Sequence, residues 1–301
     1  MDLAQLNDHF GILGVLAFHA TASGLIYADI TAKQATATVY LQGAHLTAWQ
    51  PSGQRPVIFL SRKSEFAPGK PIRGGVPIAF PWFATRHDGK AGPSHGFARI
   101  QDWTLGFAAL VGDDLHLTFT LGPTEMSRQL GFDNFRLAYQ LIIGRTLTMQ
   151  LTVGNDAAVP LLFEEALHTY YAVTDIHEAN VTGLEGVTYL DKNDGFKAKQ
   201  QKGEIVITEP TDRVYLNTTS TCVLSDTGGT RRITVAKTGS NTTVVWNPWE
   251  SGALKIADLD PTEWHEYLAV ETVNAAEDAI TLAPGGRHVM AAHVSVEDVK
   301  A

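Results

Sequence analysis

The strongest constraint in this 301-residue chain is a hydrophobic period of two rather than 3.6. Leu115, Leu117, Phe119 and Leu121 alternate with His116, Thr118 and Thr120, and Leu147, Met149, Leu151 and Val153 alternate with Thr148, Gln150 and Thr152. Successive side chains of an extended backbone point to opposite faces, so each run makes a strand with one buried and one solvated face. Such strands need antiparallel neighbours and a second layer to cover the apolar side. Further strand-like runs fall at 36–42, 97–107, 135–143, 204–208, 221–224, 231–235, 242–246, 265–273, 280–282 and 288–294. Gly144-Arg145, between the 135–143 run and the run from Thr146, reads as a two-residue type II′ hairpin turn. Helix signals are confined to residues 2–10, with no sustained i, i+3, i+4 apolar stripe elsewhere. The pattern predicts an all-β sandwich of large facing antiparallel sheets, built as one domain over 1–301.

Charge and cysteine content narrow the function classes. A net charge of −9 argues against a nucleic-acid partner, which would require a basic face. Cys222 is the only cysteine, so neither an intrachain disulfide nor a cysteine-based metal site is expected. The apolar run 11–18 is too short to span a membrane, and the first basic residue is Lys33, preceded by Asp2 and Asp8. A cytoplasmic protein without membrane contact is the expectation.

One stretch breaks the alternation. From Pro71 to Arg99, prolines and glycines punctuate a segment holding Arg73, Arg86, His87, His95 and Arg99 among Phe80, Trp82, Phe83 and Phe97. Pro restricts φ and Gly frees it, so this backbone is irregular and suited to a loop wall. Cations on a rigid loop beside aromatic rings fit an anionic or sugar-like ligand, or else a decorated surface loop.

Four later segments carry candidate chemistry. Read as one strand, 163–171 places Glu164, Ala166, His168 and Tyr170 on one face; His168 is either a general acid or base or a histidine satisfied by a backbone carbonyl. Asp212 could accept from sugar hydroxyls or stabilise a turn. Trp246 is a sugar platform or a core residue. Glu271 shares a strand face with Tyr267, Ala269 and Val273, so it has a partner, points into a cavity, or faces water from an edge strand. No phosphate-binding glycine loop or nucleophile elbow is present, and His87, His95, His168 and His265 lack zinc-ligand spacing, so neither cofactor nor metal is expected.

Seven segments in order resemble the hexose-6-phosphate mutarotases of the aldose 1-epimerase superfamily: 41–49 (LQGAHLTAW), 72–77 (IRGGVP), 94–99 (SHGFAR), 165–170 (EALHTY), 211–215 (TDRVY), 246–249 (WNPW) and 269–271 (AVE). The resemblance implies a galactose-mutarotase-like β-supersandwich that interconverts the α and β anomers of an aldohexose 6-phosphate, glucose 6-phosphate foremost, without cofactor or metal. It implies His168 and Glu271 as catalytic residues and Arg73, His95, Arg99 and Asp212 as substrate contacts, with Arg86 and His87 peripheral. A monomer acting on a small sugar phosphate is the corresponding expectation. Many relatives carry Cys where Ala269 stands, a change read as packing. The alternatives are a mutarotase for unphosphorylated aldoses and a non-catalytic sugar-binding protein on the same scaffold.

Overall fold

In the computed structural model, which describes residues 1–299, the alternating runs pair into two large antiparallel sheets. One sheet has nine strands in the order Ile205–Val206, Ala179–Thr182, Cys222–Asp226, Arg231–Thr238, Arg287–Asp298, Leu147–Asn155, Phe135–Ile143, Asp114–Leu121 and Thr104–Val111. The other runs Lys197–Gln200, Thr188–Asp191, Thr211–Tyr215, Thr242–Asn247, Tyr267–Asn274, Glu165–Leu167 and Ile78–Ala79, with Tyr170–Ala172 also paired to Tyr267–Asn274. A four-stranded meander, Leu16–Ala20, Ile26–Thr31, Ala35–Tyr40 and His45–Pro51, joins through the Trp49 indole N–H, which donates to the Gly144 carbonyl at 3.2 Å.

The alternation sets which side is buried. Leu115, Leu117, Phe119, Leu147, Met149, Leu151 and Val153 are fully buried, in one apolar cluster with Tyr215, Val245, Leu268 and Val270 of the eight-stranded sheet. Burial of large aliphatic and aromatic side chains contributes roughly 1.5–3 kcal/mol each relative to exposure. With one face of the eight-stranded sheet committed to this core, its other face, which carries smaller apolar clusters around Val244, Val273 and Tyr267, is the one that can hold polar groups.

Three local readings are corrected. Ile143 pairs with Leu147, so the hairpin loop has three residues, Gly144 to Thr146, and Gly144 does not take the positive φ that a II′ turn requires. The 97–107 run is not one strand: the Gly96 turn leads into a 3-10 turn at Ala98–Ile100, and the strand begins at Thr104. The 163–171 segment is cut into Leu161–Phe163, Glu165–Leu167 and Tyr170–Ala172. The predicted helix is present at Leu3–Phe10, capped by reciprocal bonds between Asp2 and Gln5.

Candidate active site

The site is organised by the Tyr267–Asn274 strand, which lies inside the sheet with all eight residues buried. Leu167 faces Thr272 across one edge and Tyr170 faces Ala269, so the same register sets His168 opposite Glu271. Directly opposed side chains in an antiparallel pair share a face, and their Cβ atoms lie about 5 Å apart. Two residues 103 positions apart in sequence (271 − 168) thus meet, with His168 Nε2 at 3.4 Å from Glu271 Oε1. The alignment is too poor for a hydrogen bond, and both Glu271 oxygens and His168 Nδ1 are buried without a protein partner. The His168 N–H donates to the Pro77 carbonyl, in register with the Ile78–Ala79 pairing, which anchors the histidine to the 71–99 loop, while the Thr169 N–H folds back on the Leu167 carbonyl and interrupts the strand.

The neighbouring strands extend this face. Asp212 lies opposite Trp246, which lies opposite Ala269, while Val244 lies opposite Glu271. Ala269 therefore sits between Tyr170 and Trp246, whose rings meet edge-on at 5.8 Å, the packing role expected for a small residue there. The Tyr170 ring stacks on His168 at 4.9 Å, and Trp246 meets His168 edge-on at 6.0 Å. Asp212 Oδ2 pairs with Lys192 Nζ at 3.1 Å, leaving Oδ1 buried and unpartnered.

The 71–99 loop closes over this face. Gly74 and Gly75 adopt positive φ, and a Cβ on Gly75 would lie 2.6 Å from the Leu46 carbonyl oxygen, so the chain can run this close to the meander only as glycine. His45 Nε2–H donates to the Gly74 carbonyl at 2.8 Å. Arg73 follows: its Nε donates to Asp258 at 3.0 Å and its Nη1 to the Tyr170 hydroxyl at 3.2 Å. Arg99 Nη2 donates to the Ser94 carbonyl at 2.7 Å, and Arg99 has no carboxylate partner among the described residues. His95, at φ +60°, accepts on Nδ1 from the Ala84 N–H, and its ring packs 5.2 Å from that of His168. Phe83 is held over the histidines by Glu164, which accepts its N–H at 2.8 Å.

Burial governs the electrostatics. It drives Glu271 well above the ordinary carboxylate range, with Lys192 opposing and Asp212 reinforcing. It drives His168 down to about 3, helped by Arg99 and Arg73. His95 is lowered by burial and by His168. Asp212 is raised by burial against the pull of Lys192. Arg99 falls to about 10 through burial and the repulsion of Arg73. Two mutually repelling guanidinium groups lie near a single acid, Asp258, which pairs with Arg73 alone, an excess of positive charge suited to an anion. Among the described residues, no three His, Cys, Asp or Glu side chains cluster as a metal site.

The six predicted residues Arg73, His95, Arg99, His168, Asp212 and Glu271 therefore gather around one face. Arg86 and His87 do not join them: Arg86 pairs with Asp88 over the Trp82 ring, and His87 pairs with Glu164. A cavity of about 640 Å³ against the nine-stranded sheet, lined by residues including Thr120, Arg136 and Arg287, contains none of the six, so chemistry rather than volume marks the site. Sequence reasoning missed Lys192, Asp258 and the Phe83 roof. Lys192 and Asp258 lie in turns whose local sequence carries only turn signals.

The comparisons agree with this geometry. The aldose 1-epimerase family profile matches residues 27–294. A protein of Escherichia coli K12 provisionally named glucose-6-phosphate 1-epimerase is 34% identical over 245 residues, 81% of each chain. One of the same provisional name from Cenchrus ciliaris is 32% identical over 84% of this chain and 79% of its own length. A crystal structure from Salmonella typhimurium, described provisionally as a mutarotase, superposes with a TM-score of 0.89 at 30% identity over 96% of both chains. The fold is thus the galactose-mutarotase-like β-sandwich, and the chain belongs to the aldose 1-epimerase family.

Proposed function

We propose that this protein interconverts the α and β anomers of an aldohexose 6-phosphate, glucose 6-phosphate foremost, with His168 and Glu271 as its proton carriers. The observation that carries the reading is the in-register opposition of His168 and Glu271, with their polar atoms unpartnered, beside two arginines of which only Arg73 has an acid partner. Opening a hemiacetal ring takes a proton from the C1 hydroxyl and delivers one to the ring oxygen. Glu271 accepts the first and His168 supplies the second, each step worth typically 10²–10⁴-fold. After rotation about C1–C2, closure on the other face of the aldehyde returns both protons and the pair to its starting state.

Burial assigns the resting proton. With Glu271 raised and His168 lowered, a proton shared by the pair resides predominantly on Glu271. The reactive form, Glu271 carboxylate with His168 imidazolium, is a tautomer of that resting form. A bound phosphate dianion offsets Arg99 and Arg73, two of the charges that depress His168, and so favours the reactive tautomer. Asp212 Oδ1 and His95 serve as contacts to the sugar.

Both alternatives yield to specific observations. An unphosphorylated aldose gives Arg99 and Arg73 no anion to neutralise, and a non-catalytic binding protein has no need of a buried acid–base pair lacking internal hydrogen bonds. The single thiol, Cys222, supports a reducing, cytoplasmic setting. The test is magnetisation exchange between the anomers of glucose 6-phosphate and of glucose, with and without protein. The expected result is faster exchange for the phosphate ester; equal acceleration of both sugars would overturn the phosphate assignment, and acceleration of neither would overturn the reading.

A further inference from the structure

Lys192 lies outside the segments that resemble other mutarotases, yet it reaches the same face of the sheet. It opens a 3-10 turn, Lys192–Asp194, entered from the Thr188–Asp191 strand through an Asp191 cap and closed by Gly195 in the left-handed region. Its ammonium lies 3.1 Å from Asp212 Oδ2 and 5.3 Å from the centre of the Phe83 ring, the ring that also stacks against His168. A lysine tethered to a carboxylate on one side and an aromatic face on the other is fixed, not sweeping through solvent.

We propose that Lys192 is a positioning residue that sets the proton affinity of the His168–Glu271 pair and keeps Asp212 ionised with Oδ1 free for a sugar hydroxyl. The assignment rests on the proposed anomer exchange and deepens it. Glu271, buried, and Asp212, half-buried, share the face, and without a cation the charge on one would keep the other protonated. Lys192 is the cation paired with this carboxylate couple, since Arg73 is engaged by Asp258 and Tyr170.

The groups facing the pair come from four directions. Asp212 lies two strands from Glu271, beyond the intervening Thr242–Asn247 strand, with Asp191 behind it; Lys192 comes from the turn. Arg73, His95 and Arg99 come from the 71–99 loop, and Asp258 from the loop beyond Trp249–Ala253. After burial, Lys192 is the strongest influence on Glu271, while His168 feels it behind Arg99 and Arg73. Removing the ammonium therefore raises the proton affinity of both groups, Glu271 the more.

The experiment is the pH profile of kcat/KM for glucose 6-phosphate anomer exchange, corrected for the spontaneous rate, in the wild type, Lys192→Met and Lys192→Arg. Methionine keeps the packing on Phe83 and removes the charge; arginine keeps the charge. In Lys192→Met both limbs should move to higher pH, the alkaline limb by about one pH unit or more, as for loss of an opposite charge within a few ångströms. Lys192→Arg should keep the wild-type profile. A Lys192→Met profile that keeps both limbs in place, with only KM raised, would overturn the inference in favour of a simple substrate contact, and so would equal shifts in Met and Arg. Should Lys192→Met fail to fold, Asp212→Asn carries the test with opposite sign: removing the like charge moves the alkaline limb down, and an unmoved limb overturns the inference. Glu271→Gln measured alongside separates the two levels: wild-type exchange in that variant would defeat the underlying reaction, whereas its loss together with an unmoved Lys192→Met profile would defeat only the role of Lys192.

Discussion

Replacing Arg73 by methionine tests how the chain selects a phosphorylated sugar. The guanidinium is placed by two bonds, Nε to Asp258 at 3.0 Å and Nη1 to the Tyr170 hydroxyl at 3.2 Å, leaving Nη2 free for a ligand. A hydrogen bond to a charged group contributes about 1.5–3 kcal/mol. The Arg73 side chain is 22% exposed, so water screens part of this and the lower half of the range applies. A loss of about 2 kcal/mol corresponds to roughly a 30-fold fall in kcat/KM for the phosphate ester. Glucose has no group to lose and should change by less than about threefold. The assay is two-dimensional exchange NMR of the anomeric protons, run on both sugars with one enzyme preparation. A second consequence accompanies the first: without Arg73 the repulsion on Arg99 falls, so Arg99 should move up from about 10. Equal losses for glucose and glucose 6-phosphate would refute the reasoning, because Arg73 would then be serving the wall or His168 and not the phosphate.

Three further outcomes follow from the framework. Gly75→Ala forces a Cβ at φ +68° to within 2.6 Å of the Leu46 carbonyl oxygen and should lower stability by about 2–4 kcal/mol; a urea midpoint within error of wild type would contradict this. His45 is buried and lowered to about 4, so between pH 6.5 and 4 the unfolded chain binds the proton that the native chain refuses. Stability therefore rises with pH through that window and is lost as pH falls, by about 3 kcal/mol from His45 alone; His45→Gln should flatten the slope of unfolding free energy, and an unchanged slope would refute it. Asp226 pairs with Arg231 at 3.0 Å in the interior, so Asp226→Ala should cost about 3–5 kcal/mol while leaving exchange by the remaining folded protein unchanged, as chemical denaturation and NMR exchange would report.

How much was legible in the sequence depends on the range of the interaction that decides each feature. The strands Asp114–Leu121 and Leu147–Asn155 follow from local alternation, because one face of each meets the shared core. The break at His168–Thr169 was not legible: the Thr169 N–H folds back on the Leu167 carbonyl, a kink that no Gly, Pro, Asn or Asp in the segment signals. Glu164 was expected to share the His168 face; it turns instead to hold the Phe83 and Ala276 N–H groups, a task set by tertiary contacts. The central position of Glu271 was equally hidden, because a lone acid on an apolar strand reads alike for an edge and for a site. Lys192 and Asp258 gave no signal of their own: each matters through a partner far along the chain, Asp212 and Arg73 respectively.

The central claim is that the opposed pair His168 and Glu271 carries the proton exchange. It is tested most directly by the exchange rate of glucose 6-phosphate anomers with Glu271→Gln, which keeps shape and removes the base, against wild type at one pH and matched folded concentration. The account predicts a fall of at least about 10²-fold, toward the spontaneous rate, with tryptophan fluorescence and thermal unfolding showing an intact fold. Exchange within a few-fold of wild type would contradict it.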